Sequence, residues 1–228
     1  MTDIEHQSEK EKLSKLHGKA KVEYILTYYR IYFVFALIAV IAVAVIVNAV
    51  ENAKRESKIG VAVLNATNYD LQEADDWQNK LAEELGFGEY EYATVTMLNY
   101  PTEDSQLTQD TIASQEKLVT MVAVKQIDMI IAPESLNRSL AENVDYFLDL
   151  SEYLPEDIYS RLEEEGRIET MTNSEGETFP ALINVTQEEL SSELEMQMDD
   201  PTIGIVANSE NKDNTILLLR RFLGMQEG

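Results

Sequence analysis

Apolar residues in this chain form one long unbroken block near the start and many short ones after it. Residues 31–50 (IYFVFALIAVIAVAVIVNAV) run for twenty positions without a charge, and only Asn48 among them is strongly polar. A helix of that length spans roughly 30 Å, the hydrocarbon thickness of a bilayer. Beyond it the pattern alternates between two periods. Residues 59–64 (IGVAVL) are a β-branched run ended by the turn-prone Asn65-Ala66-Thr67-Asn68, which predicts a buried strand. Leu71, Ala74, Trp77, Leu81, Ala82 and Leu85 recur at helical spacing up to Gly86, a suitable C-terminal glycine, so Trp77 is a core residue. Residues 90–98 alternate as a strand, a cap at Thr108 opens a helix to about Lys125, and residues 128–132 (DMIIA) close a β-α-β-α-β series.

Strands separated by helices imply a parallel sheet covered on both faces, because parallel neighbours need crossover connections. The later pattern is less regular. Residues 144–154 read as partly extended and 155–165 as a helix with Pro155 in its first turn. Residues 167–172 and 177–185 flank Asn173-Ser174-Glu175-Gly176, a hairpin turn with Gly176 at positive φ. A strand at 202–207 and a helix at 214–223 complete one mainly parallel, three-layer α/β domain.

The flanks of the apolar block set its orientation. Lys12, Lys15, Lys19, Lys21 and Arg30 stand against Glu11 and Glu23 before it, while Lys54, Arg55 and Lys58 stand against Glu51, Glu56 and Asp70 after it. This bias predicts a cytoplasmic N-terminus, with Tyr28, Tyr29 and Tyr32 at the headgroup level. The block is longer than a cleaved signal core and starts after thirty residues, so an uncleaved anchor fits better. No cysteine is present to carry a lipid. The expected organisation is a cytoplasmic tail at 1–30, a transmembrane helix at 31–50, a linker at 51–57 and an extracytoplasmic domain at 58–228, anchored in the cell membrane.

Charge sharpens this division. The chain carries a net −24, and the residues after the span alone hold 12 basic and 37 acidic groups. Such a surface repels nucleic acid and anionic headgroups, which excludes them as partners. No D-x-[DN]-x-[DN]-G loop accompanies the acid, so Asp75-Asp76, Glu83-Glu84, Glu163 to Glu165 and Asp199-Asp200 read as solvated faces.

Two segments carry a family resemblance. Residues 126–161 (QIDMIIAPESLNRSLAENVDYFLDLSEYLPEDIYSR) resemble the stretch of bacterial extracellular solute-binding proteins where a strand with D-hydrophobic-hydrophobic leads to D-L-S-x-x-L. Residues 203–224 (IGIVANSENKDNTILLLRRFLG) resemble their segment with N-S followed by a helix ending F-L, and FPALIN at 179–184 stands where that family has a strand returning between lobes. The resemblance implies a type II periplasmic-binding fold. With 178 residues after the span, it implies a reduced, single-lobe relative. Residues 18–34 (GKAKVEYILTYYRIYFV) are similar to the entry into a single span seen in uncharacterised membrane proteins of Firmicutes, which implies topology and no activity.

Catalytic chemistry is screened by elimination. Both histidines, His6 and His17, precede the span, so histidine triads and histidine-ligated zinc are excluded from the outer domain. Ser114 and Lys117 match S-x-x-K without K-T-G, on a helix surface, and no phosphate loop occurs. The expectation is a non-enzyme without cofactor or metal. In open α/β sheets ligands sit beyond the carboxyl ends of the strands, which nominates Asn65, Thr67, Asn68, Tyr69, Asn99, Tyr100, Ser135, Asn137, Arg138, Asn208 and Ser209. Arg138 is the sharpest of them, a scarce cation near a strand end. Two functions fit: a membrane-anchored ligand-binding or sensor module for a small molecule, related to solute-binding proteins, and a non-catalytic interaction subunit with a membrane protein partner.

Overall fold

The computed structural model describes residues 17–19, 30–102, 107–144, 146–173 and 175–225. The chain divides into two compact units, Met1–Lys54 and Arg55–Gly228. The first contains helix α1 (Arg30–Ala53), whose 22 residues Tyr32–Ala53 are long and apolar enough to cross a membrane. Within α1, Asn52 Nδ2 donates to Asn48 Oδ1 at 3.4 Å. Helix α1 outruns the expected span by three residues at its end, and the linker expected at 51–57 shrinks to Lys54 and Arg55 before β1 (Glu56–Leu64).

In the second unit, β1 is followed by α2 (Leu71–Glu84), β2 (Glu91–Leu98), α3 (Gln109–Ala123), β3 (Met129–Pro133) and α4 (Glu134–Val144). Then come α5 (Leu150–Tyr153), α6 (Glu156–Glu164), β4 (Ile168–Thr172), β5 (Thr178–Asn184), α7 (Gln187–Glu193), β6 (Pro201–Ile205) and α8 (Lys212–Phe222). The expected stops and starts operate as read: Gly86 follows α2 at φ +69°, Thr108 caps α3, and Gly176 takes φ +85° in the β4–β5 turn; Asp70 in addition caps α2, its side chain accepting from Gln72 N.

The strands form one six-stranded sheet in the order β2-β1-β3-β6-β5-β4. Only the pairs β1–β2 and β1–β3 are parallel; β3–β6, β5–β6 and β4–β5 are antiparallel. The sheet is therefore mixed, which corrects the mainly parallel expectation. Helical crossovers dictate the first three strands, whereas the hairpin and the late return of β6 reverse the rest. Pro180 is tolerated inside β5 because β6 pairs β5 only over Leu182 to Asn184, and β4 shifts register opposite it between Glu169 and Thr170.

Both faces of the sheet are covered. Ile59, Val61 and Val63 of β1 and Met129 and Ile131 of β3 face one core with Trp77, Leu81, Ile158, Leu162, Leu190, Leu218 and Phe222. Ala62, Leu64, Ile130 and Ala132 face the other with Leu118 and Val122 of α3 and Leu136 and Leu140 of α4. This explains why β1 is an unbroken apolar run rather than an alternating one. It also leaves the strand ends and their loops as the places where polar chemistry is available.

Candidate functional site

Beta strand β1 lies between β2 and β3, so the order of connections reverses between β1 and β3, the position where an open sheet leaves a crevice at its carboxyl edge. This protein fills that crevice with its own chain. The segment 194–200 crosses it, with Thr67 N donating to Gln197 O and Gln197 N to Thr67 O, both at 2.8 Å, and Glu134 N to Asp200 O at 2.9 Å. Asn68 Nδ2 donates to Gln197 Oε1 at 2.6 Å. Leu194, Met196 and Met198 are buried and anchor the strap in the core. Gln187 pins it further, accepting from Met198 N at 2.9 Å and donating to Met196 O at 2.7 Å. Asn68 (φ +54°) and Asp200 (φ +44°) adopt the left-handed conformation that short polar side chains tolerate best.

Most nominated residues are committed to internal bonds. Asn65, at φ +57°, ties the ends of β1 and β2 together, accepting from Tyr100 N at 2.7 Å and donating to Tyr100 O at 3.0 Å. Burial pushes the Tyr100 hydroxyl above its ordinary pKa, with Gln115 acting in the opposite direction. Asn99 donates to Asp110 at 3.2 Å. The segment after β3 is not a loop, since α4 starts at Glu134 with no intervening residue. Ser135 is exposed in its first turn, and Asn137 is fully buried, donating to Thr202 Oγ1 at 2.9 Å. Arg138 pairs with Glu134 and Glu169, each at 2.7 Å. The Glu134 hydrogen bond first, then the Glu169 charge, hold its guanidinium still more firmly protonated.

Asn208 and Ser209 lie at the opposite edge of the sheet, because β6 is antiparallel to β3. Asn208 Nδ2 donates to Val122 O at 2.8 Å, and Ser209 Oγ to Asp128 Oδ1 at 2.7 Å. The nominated set is thus split between two edges. Asp128, 1% exposed, is the hub of the amino edge: it also accepts from Gly60 N at 2.8 Å and from Asn211 Nδ2 at 3.1 Å. Asn211 is the N-cap residue of α8, so the carboxylate sits at a helix N-terminus, where the backbone dipoles favour negative charge. Tyr69 borders a hollow of about 240 Å³ with Trp77, Glu73 and Glu195. Loss of hydration, then the nearby charges of Glu195, Asp70 and Asp76, raise the Glu73 carboxyl above its ordinary value.

An open cleft of about 550 Å³ lies on the carboxyl edge beside the strap, at the ends of β3 and β5. Glu134, Asn184 and Asp200 line it, with Val185, Met198 and Pro201 as its apolar surface. A polar network stands behind two of these side chains: Arg138 bridges Glu134 to Glu169, and Glu169 Oε1 accepts from Asn184 Nδ2 at 2.9 Å. Arg167 fixes the other end, donating to Asn184 O at 2.8 Å while its two terminal nitrogens grip Glu189 at 2.9 and 2.7 Å. Arg138 therefore orients the wall of the cleft and does not line it.

None of the nominated residues lines the cleft. Its signals in the sequence were the Thr186-x-x-Glu189 capping box that opens α7 and the doublet Asp199-Asp200 before Pro201. The antiparallel return that brings Pro201 beside Pro133 had no local signature. Among the described residues no cluster of His, Cys, Asp and Glu is arranged to hold a metal. The fold and cleft define a mixed α/β domain preceded by one apolar helix. Comparison with protein-family models, curated proteins and solved structures finds no match.

Proposed function

We propose that this chain is a membrane-anchored extracytoplasmic ligand-binding or sensor module, a reduced relative of solute-binding proteins, and that its site is the cleft at the carboxyl ends of β3 and β5. The observation that carries this reading is the cleft itself: about 550 Å³, within the range of small-molecule sites, with polar side chains held from behind by the Arg138 and Arg167 networks. Preorganised walls favour binding, since little side-chain freedom is lost when a ligand arrives. The basic residues before α1 support a cytoplasmic N-terminus. The two segments of family resemblance lie side by side in the sheet, Met129 opposite Ile205 through Ile131 opposite Ile203, which supports the kinship.

The test is thermal unfolding of the full chain in nanodiscs with saturating sugars, amino acids, amines and oligopeptides. A ligand that binds the folded state must raise the unfolding temperature, and a flat response to the whole panel sinks the reading. A second reading, a non-catalytic interaction subunit for a membrane protein, is favoured by the strap that fills the switch-point crevice. Cross-linking in native membranes tests it; recovery of the chain alone counts against it.

A further inference from the structure

We propose that α3 carries a docking face for a second copy of this chain. The helix is apolar on two sides. Leu118 and Val122 are its buried residues and belong to the core on one face of the sheet. Ile112 and Val119 stand two turns apart on another side, 43% and 48% exposed, and the exposed Ala123 follows one turn later. Leu107 before the cap and Val124 at the end add exposed apolar surface at both termini. Outside α1, only Leu71 and Tyr90 join these four among the exposed large apolar side chains of the described residues, so that surface is concentrated on one helix. A helix that serves one core needs one apolar stripe, and a second stripe marks a second burial.

Charge selects the occupant. The residues after the span hold 12 basic and 37 acidic groups, yet residues 107–125 hold two of each, Asp110 and Glu116 against Lys117 and Lys125. Asp110 accepts from Asn99, and Lys125 is paired with Glu210. A basic partner would be drawn to the acidic faces, such as α2 with five carboxylates and one lysine, and not to this one. The stripe also lacks the Lys and Arg with which a helix lies on a lipid surface. A second copy is repelled by the acidic faces and admitted where the excess is missing. In an isologous pair the same patch serves both sides, so the stripes of Ile112, Val119 and Ala123 cover each other along an uncharged seam, the composition that homodimer interfaces favour. Glu116 borders the stripe, between Ile112 and Val119 on the helix surface. The repulsion that it and the wider acidic surface exert is screened by salt, so pairing tightens as salt rises.

The experiment is sedimentation equilibrium of the full chain in detergent micelles at low and high salt. The expected result is a monomer–dimer equilibrium that tightens with salt and that I112E/V119E weakens by at least about tenfold, because each new carboxylate must lose its water to pair. Both positions are exposed and glutamate is a good helix former, so the variant keeps its helix content, which circular dichroism checks. A second measurement does not depend on that variant. The chain has no cysteine, so V119C is a unique thiol, and a short bis-maleimide in native membranes is expected to join it to its own copy while leaving E163C, exposed on α6, unjoined. A chain that stays monomeric overturns the inference, as does a dimer that loosens with salt. A dimer indifferent to I112E/V119E is held elsewhere and also overturns it. Equal joining of V119C and E163C means random collision, and joining of V119C to a different protein assigns the face to another partner; either result overturns it. All these readouts concern assembly, so the ligand-binding reading of the cleft stands or falls separately.

Discussion

Asp128 shows how one side chain can hold two elements. Its carboxylate joins β1 through Gly60 N–H, the β6–α8 turn through Ser209, and the N-terminus of α8 through Asn211. Truncating it strands several donors at a position only 1% exposed. D128A is expected to cost about 3 kcal/mol in denaturant unfolding, because each buried donor left unpaired carries its own desolvation penalty. A cost below about 0.5 kcal/mol, the range of ordinary surface changes, contradicts this role. Sequence placed Asp128 at the head of a strand and Ser209 after another, yet nothing local could show that antiparallel pairing brings them to 2.7 Å. Arg138 was visible as a scarce cation near a strand end, while its orientation toward Glu134 and Glu169 depended on β4, more than thirty residues away.

At the scale of elements, periodicity located what was locally encoded. Strand β1, helix α2, strand β2 and helix α3 fall within two or three residues of their expected bounds, since each has its own cap, turn residue or apolar run. Helix α4 was missed because Pro133 and the polar Glu134, Ser135, Asn137 and Arg138 suggested a loop, although Leu136, Leu140 and Ala141 bury one face. Gly60 illustrates a requirement between elements: a Cβ there meets Gln126 O at 1.8 Å. G60A is therefore expected to cost about 3 kcal/mol or more by forcing the β3 approach away from β1. G88A, whose new methyl touches only the flexible Glu91 side chain at 3.4 Å, serves as the tolerated comparison. Unfolding curves that place the two variants together would show that the close approach is not needed.

At the scale of the whole molecule, the acidic excess sets the pH response, and individual groups pull in opposite directions. Glu73 has a raised folded pKa, so its contribution stabilises at low pH and is lost as pH rises through that value. Asp157 is held below the usual carboxylate range, first by its hydrogen bond to Arg220. Its contribution is present above the unfolded pKa and is lost as pH falls through the depressed folded one. E73Q is thus expected to raise the unfolding temperature at neutral pH and D157N to lower it, with both differences closing once the carboxyls are protonated. Melting curves across that range decide it, and shifts of the same sign would refute the assignment.

What the sequence determined by itself was whatever rests on neighbouring residues: the apolar helix, the acidic balance, the caps and turns, and an α/β alternation with a buried first strand. Hydrogen bonding within a helix and burial of a periodic face need only a few consecutive positions. What only the tertiary structure decided was the mixed sheet, the strap across the crevice and the cleft beside it. Those depend on which strands pair and in which direction, and β6 reaches β3 across about seventy residues of intervening chain, a choice made by packing and not by local propensity.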